Sequence, residues 1–229
     1  MFIKKLLFIT CLSSLAMSSA IAQEASSFSA NVALSTNYVF RGITQTDDGP
    51  AISGGFDWVE ELFYAGVWAS SVDFGDDTTL EIDWYGGVTP SIGETSFDFG
   101  VLYYSYPDSP DLPTGSQDFV EVYGGASRAF GIAELGASVA YSPEFYGETG
   151  AAFYIQGTAA VSLTERISTD VSVAQSTFDE DTNDDYLDYS VGVTVDAQGF
   201  EAGLRFHDTS DRTGGGDDDA VVFSLSRSF

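Results

Sequence analysis

Phe28-Ser29-Ala30-Asn31-Val32-Ala33-Leu34-Ser35-Thr36-Asn37-Tyr38-Val39-Phe40 alternates with a period of two. Phe28, Ala30, Val32, Leu34, Thr36, Tyr38 and Phe40 share one parity, while Ser29, Asn31, Ser35 and Asn37 share the other. Successive side chains of a strand point to opposite faces, so the stretch reads as one strand with an apolar and a wet face. Segments of the same kind follow at 50–59, 62–72, 79–89, 96–105, 118–129, 131–142, 150–162, 166–176, 186–196, 199–208 and 219–229, which makes twelve. The apolar face is read as Ile52, Phe56 and Trp58 in the second, Tyr64 and Trp68 in the third, Leu80, Ile82 and Trp84 in the fourth, and Phe97, Phe99, Val101 and Tyr103 in the fifth. In 118–142 either face is open, because Phe119, Val120, Val122 and Tyr123 are all apolar or aromatic.

Alternation alone gives no direction, because a sandwich or a soluble barrel buries the face that a membrane barrel exposes. Three features choose the membrane. The last segment runs into a terminal aromatic residue, Phe229, the expected signal for outer-membrane assembly machinery. The joints alternate: Arg41 to Gly49, Asp73 to Thr78, Tyr106 to Gln117, Pro143 to Thr149, Thr177 to Asp185 and Thr209 to Asp218 are long and acidic. Those between them, Glu60-Glu61, Pro90 to Thr95, Phe130, Leu163 to Glu165 and Ala197-Gln198, have room for little more than a turn. Aromatic residues near strand ends, including Tyr38, Phe40, Trp58, Trp84 and Tyr103, suit interfacial girdles. The expected fold is all-β: a transmembrane antiparallel up-and-down barrel of about 12 strands over residues 23–229, with both termini periplasmic.

Residues 1–22 read as a cleaved secretory signal peptide, with Lys4 and Lys5, an apolar Leu6 to Met17, and an Ala20-Ile21-Ala22 cleavage pattern. Cys11, the only cysteine, leaves with it, so disulfides and thiolate metal sites are excluded. No later stretch approaches the roughly 18 apolar residues of a spanning helix. The expected location is the outer membrane of a Gram-negative cell, with outer-membrane lipids and lipopolysaccharide as its surroundings.

The chain has 35 acidic residues against eight lysines and arginines, a net charge of −27 that losing Lys4 and Lys5 makes more negative. That balance disfavours nucleic acid and favours cations. Opposite the apolar parity lie Asp57, Glu81, Asp83, Asp98, Glu121, Glu134, Asp170, Asp188 and Glu201, with Arg205, His207 and a candidate second cation, Arg166. Carboxylates are costly in a dry cavity, so these are expected to line a wet pore or to bind counter-ions. The expected function is a porin for passive diffusion of small cationic or neutral solutes, with no cofactor and no resident metal. The alternative is a non-conducting filled barrel acting at the surface, in which Arg205 pairs with Glu201 or Glu81.

Acidic loop runs at Asp47-Asp48, Asp73 with Asp76-Asp77, Asp179 to Asp185 and Asp217 to Asp219 read first as solvated charge, with weak divalent cation binding as the functional version. An outer-membrane lipid hydrolase needs a serine beside a histidine, and His207 is the only histidine, placed with Asp208 and Ser210 as mere sequence neighbours. No catalytic residue is assigned. Arg128 and Arg227 fall on the lipid parity near strand ends, where a long side chain reaches headgroups.

The run Asn31 to Asp48, followed by Pro50-Ala51 and Gly54-Gly55-Phe56-Asp57, resembles the N-terminal signature of the TorF-type porin family, and Phe63-Tyr64-Ala65-Gly66-Val67-Trp68 through Phe74 extends the likeness. Over residues 31–74 that resemblance implies an outer-membrane barrel and a porin. It implies no substrate and no catalytic residue.

Overall fold

Twelve long strands follow one another around a closed antiparallel ring in a computed structural model that describes residues 26–229 apart from 111, 114, 180–182 and 211–218. We number them β1 Ser27–Ser35, β2 Ala51–Glu60, β3 Phe63–Ser71, β4 Leu80–Val88, β5 Thr95–Ser105, β6 Phe119–Phe130, β7 Ala133–Ser142, β8 Ala152–Ser162, β9 Ile167–Phe178, β10 Tyr186–Ala197, β11 Phe200–Thr209 and β12 Ala220–Ser228. Each pairs with its chain neighbours, and β1 closes on β12 with Leu34 opposite Leu225. The backbone of Phe229 exchanges hydrogen bonds with Ala30 at 2.9 and 3.3 Å. The proposed leader lies outside the described residues, as do parts of three acidic loops.

The outward parity is apolar all round the ring. Leu34, Ile52, Trp84, Val101, Val122, Leu135, Ile155, Val171, Val191, Leu204 and Phe223 are all exposed. A continuous belt of that kind would aggregate in water and is satisfied in hydrocarbon, where a closed barrel leaves no unpaired edge. Phe28, Phe63, Phe130, Phe200 and Phe229 rim the short-turn end, where both described ends of the chain lie. At the long-loop end the rim includes Tyr103 and Tyr189, whose hydroxyls donate to Asp118 at 2.6 Å and Asp208 at 2.7 Å. Arg128 and Arg227 lie on this outer face at the short-turn rim, their guanidinium carbons 5.2 Å from the Phe130 ring and 5.0 Å from the Phe200 ring. The fold is that of an outer-membrane barrel, and the belt locates it in that membrane.

The short turns are short for a backbone reason. Gln198 and Gly199 both take positive φ, 60° and 85°, which matches the twist of the hairpin they join. Three inward glycines have a different job: Gly66, Gly87 and Gly100 lie directly opposite Tyr85, Tyr64 and Tyr123, whose rings lie over them. A Cβ on any of the three would come within 2.5 Å of its tyrosine.

Two expectations fail here. The first strand stops at Ser35 instead of Phe40, and Tyr38, expected at the lipid, is 2% exposed inside the barrel, with Phe40 packed beside it. The third strand has the opposite phase: Tyr64 and Trp68 point inward, while Phe63, Ala65, Val67 and Ala69 meet lipid. From Phe63 to Ala69 that odd parity is apolar throughout, with Ser71 only at the strand's end, whereas the even one includes Gly66 and Ser70. Lipid rejects polar groups but a lumen accepts aromatic ones, so uniformity of the apolar face outweighs ring size.

Candidate functional site

Residues 36–50 leave β1 and turn back into the ring. Val39-Phe40 pairs with Ile43-Thr44, making a small hairpin whose two-residue turn is Arg41-Gly42, at φ 49° and 81°. Positive φ at both central residues is the tight-hairpin geometry, and a non-glycine residue adopts it at a cost of about 1 kcal/mol. The base is held by Asn37: its amide donates to Asp48 at 2.9 Å and its carbonyl accepts from the Thr44 hydroxyl at 2.7 Å. The Tyr38 amide donates to Thr46 Oγ1 at 3.1 Å.

The hairpin tip reaches both walls. A Cβ on Gly42 would lie 2.4 Å from Thr209 Cγ2 and 2.9 Å from Asp188 Cβ, so only glycine passes β10 and β11 this closely. On the other side Arg41 donates from Nη1 and Nη2 to the two carboxylate oxygens of Glu121 on β6, both at 2.8 Å. Its guanidinium carbon lies 4.1 Å from the centre of the Tyr154 ring on β8 and 4.7 Å from that of Phe40. Glu121 also accepts from Tyr104 Oη at 3.0 Å, and Glu81 accepts from Tyr38 Oη at 2.9 Å. Arg41 and Glu121 are 8% and 2% exposed. The sequence reading missed Arg41 as an inward cation, although an Arg-Gly pair flanked by Val39-Phe40 and Ile43-Thr44 is a short-hairpin signal.

This end of the lumen is packed. Tyr38 meets Trp68 edge-on at 5.5 Å, Phe40 meets Tyr104 at 5.8 Å, and Tyr104 stacks on Phe119 at 4.2 Å. Over them, Phe74, Tyr106 and Tyr146 from three long loops form an aromatic triangle with centroids 5.4 to 5.8 Å apart. Gln117 locks two of those loops, donating to Asp76 at 3.0 Å and accepting from Thr78 at 3.1 Å.

The inward carboxylates divide by height. Glu81, Asp83, Glu121 and Asp188 sit in the packed long-loop half with His207, and all are buried. Among the described residues, no donor meets either oxygen of Asp83, which is fully buried, or Oδ2 of Asp188. Asp188 Oδ1 accepts from Tyr154 at 3.2 Å. Asp57, Asp98, Glu134, Asp170 and Glu201 sit in the short-turn half with Arg205, and all but Asp98 are only half-buried. Tyr85 donates to Asp57, and Tyr64 donates to Asp98 at 2.7 Å with Tyr123 beside it. Arg205 pairs with Asp170 at 2.7 Å and donates to Ser190 at 2.9 Å, and its expected partners Glu201 and Glu81 are not used. The register explains it: Arg205 stands across from Gly192, whose missing side chain opens the way to Asp170 one strand further on. Arg166 is exposed in the turn before β9 and does not line the lumen.

His207 lies in the wall between Ser190 and Ala220, and Ser190 is engaged by Arg205 and by Ser172 at 2.9 Å. In the acidic loops, Asp73 and Asp76 accept from turn amides of Gly75 and Thr78 at 3.1 and 2.8 Å. Among the described residues no group of three or more histidines or acids is placed to hold a metal ion.

A family model described as a bacterial protein of unknown function (Gcw_chp) matches residues 19–229. Among solved structures, the KdgM porin in complex with disordered oligogalacturonate superposes with a TM-score of 0.59 at 6% identity, over 90% of this chain and 98% of that one. The COG4313 outer membrane channel from Pseudomonas putida F1 does so with a TM-score of 0.60 at 9% identity, over 91% and 97%. No curated protein matches the sequence. At such identities the likeness is one of fold.

Proposed function

The chain belongs to the Gcw_chp family, bacterial proteins whose function is unknown, and from that premise we propose that it is an outer-membrane channel for small solutes, cations preferred over anions, whose long-loop half is packed shut in this structure. The observation that carries this is the charge of the inward face, where Asp57, Asp98, Glu134, Asp170 and Glu201 face Arg205 in the half-buried section and four further carboxylates face Arg41 above it. Carboxylates that keep contact with water raise the local concentration of cations and repel anions. One wall of the lower section is tyrosine-rich, with Tyr64, Tyr85 and Tyr123, and the facing wall is small, with Ser172, Gly192, Gly203 and Ser224. The passage we propose runs along β9 to β12, past the Arg205–Asp170 pair that lies over Gly192. The fold shared with the KdgM porin and the COG4313 outer membrane channel, and the TorF-type resemblance of residues 31–74, point in the same direction.

The test is single-channel recording of the refolded protein in a planar bilayer with a salt gradient. Discrete steps with a cation-selective reversal potential are expected, and anion selectivity would remove the carboxylates from the conduction path. The packing around Arg41 supports a second reading, a filled barrel that never conducts. Silence from a correctly folded barrel, in the Arg41→Ala form as well as the natural one, would favour it.

A further inference from the structure

Arg41 is the only arginine of the long-loop half among the described residues, yet Glu81, Asp83, Glu121 and Asp188 surround the level it occupies. One guanidinium does not use them up. Asp83, fully buried beside Glu81, meets no donor in hydrogen-bond geometry with either oxygen, and one oxygen of Asp188 is likewise unmet. Burying a carboxylate without a partner is among the costliest things a fold can do, so acceptors left spare around a well-held cation mark a surface with capacity for more donors.

The contacts made by Arg41 have the form of ligand recognition. A planar fork of donors meets one carboxylate with two parallel bonds, and the same cation lies against an aromatic face. The group in that seat is carried on a hairpin and is not part of the wall. Its backbone at Arg41 is in the left-handed region, and the tip approaches the far wall through Gly42 alone. The hairpin's polar hold on the walls therefore rests on the guanidinium with Glu121 and on Tyr38 with Glu81, beside the packing of Tyr38 on Trp68 and of Phe40 on Tyr104.

We propose that Glu121, Tyr154, Asp83 and Asp188 form a binding site for guanidinium-bearing or primary alkylammonium solutes, and that Arg41 occupies it as a built-in stand-in which such a solute displaces. Displacement withdraws the hairpin from the lumen, so the solute that binds is also the one that opens its own path. This inference rests on the channel reading for its consequence, but the site itself does not require conduction.

Trp68 reports the hairpin directly, because its ring packs against Tyr38. With Trp58 and Trp84, which face lipid, changed to Phe, titration of the folded barrel with methylguanidinium chloride should move Trp68 emission to longer wavelength in a saturable way. Sodium chloride at equal ionic strength should not. Arg41→Ala removes the competitor, and the midpoint of methylguanidinium binding, followed by calorimetry, should fall about tenfold or more, since no hairpin has to be displaced. Glu121→Gln should abolish binding in either background. An equal response to sodium chloride, no saturable binding to either the Trp68-reporter form or the folded Arg41→Ala form, or binding that survives Glu121→Gln would each overturn the site. If Arg41→Ala binds methylguanidinium but carries no current in the bilayer, the site stands and the channel reading falls. If it conducts without binding, the reverse holds.

Discussion

The two halves of the lumen are built from the same residue types and behave differently. In the short-turn half, Asp57, Glu134, Asp170 and Glu201 keep contact with solvent, and the Arg205–Asp170 pair is part-exposed at 18% and 21% of its side chains. In the long-loop half, Arg41 and Glu121 make a similar pair at 9% and 3%, roofed by loops. The strands supply carboxylates to both levels. What separates them is one fifteen-residue excursion of chain between β1 and β2, which brings aromatic rings and a cation into one level only. An acidic lining thus becomes either a wet passage or a packed seal, depending on what the loops put into it.

Reagent access distinguishes the halves most sharply. In a chain whose Cys11 is replaced by serine, Ser224→Cys in the lower half should react with a water-soluble maleimide orders of magnitude faster than Ala140→Cys in the packed one, measured by mass shift against time. Equal rates would erase the distinction. Stability comes next. Glu121→Ala leaves Arg41 buried without its partner and should cost about 3–5 kcal/mol, read from the temperature at which the folded barrel loses its compact gel mobility.

Gly87→Ala drives a Cβ against the Phe99 carbonyl and the Tyr64 side chain and should cost about 1–3 kcal/mol in the same assay, with Tyr64→Ala recovering only the tyrosine part of it. The counterpart of the Glu121 change in the lower half, Asp170→Asn, should cost no more than about 1 kcal/mol because water screens the pair. A loss as large as that of Glu121→Ala would show the lower half to be as dry as the upper. The smallest effect lies outside the membrane. Asp108 accepts from the Thr79 hydroxyl and, at 3.1 Å, from its amide, and the hydroxyl contact holds its carboxyl below the usual aspartate range. A depressed folded value contributes stability above the unfolded one and loses it as pH falls through the folded one. Melting of the natural protein and Asp108→Asn should therefore differ slightly at pH 6 and converge below pH 3.

Alternation carried most of the fold. Lipid on one side and water on the other impose a period of two on every strand, and that local rule made twelve strands and their outward residues readable from the chain. The same rule put Asp57, Glu81, Asp83, Asp98, Glu121, Glu134, Asp170, Asp188, Glu201, Arg205 and His207 on the parity opposite the apolar belt. Where aromatic residues fell on the inward side, as at Tyr64 and Trp68, parity was misread because a ring is acceptable to lipid and lumen alike.

What the sequence determined by itself was a barrel with an acidic inner face, because side-chain direction along a strand is a local property. Only the tertiary structure decided which carboxylates are dry, which cation each one meets, and that Tyr38 to Thr44 turns inward instead of extending β1. Those depend on contacts between residues as far apart as Arg41 and Glu121, set by the width of the closed ring and the reach of one hairpin, and no period in the chain encodes either.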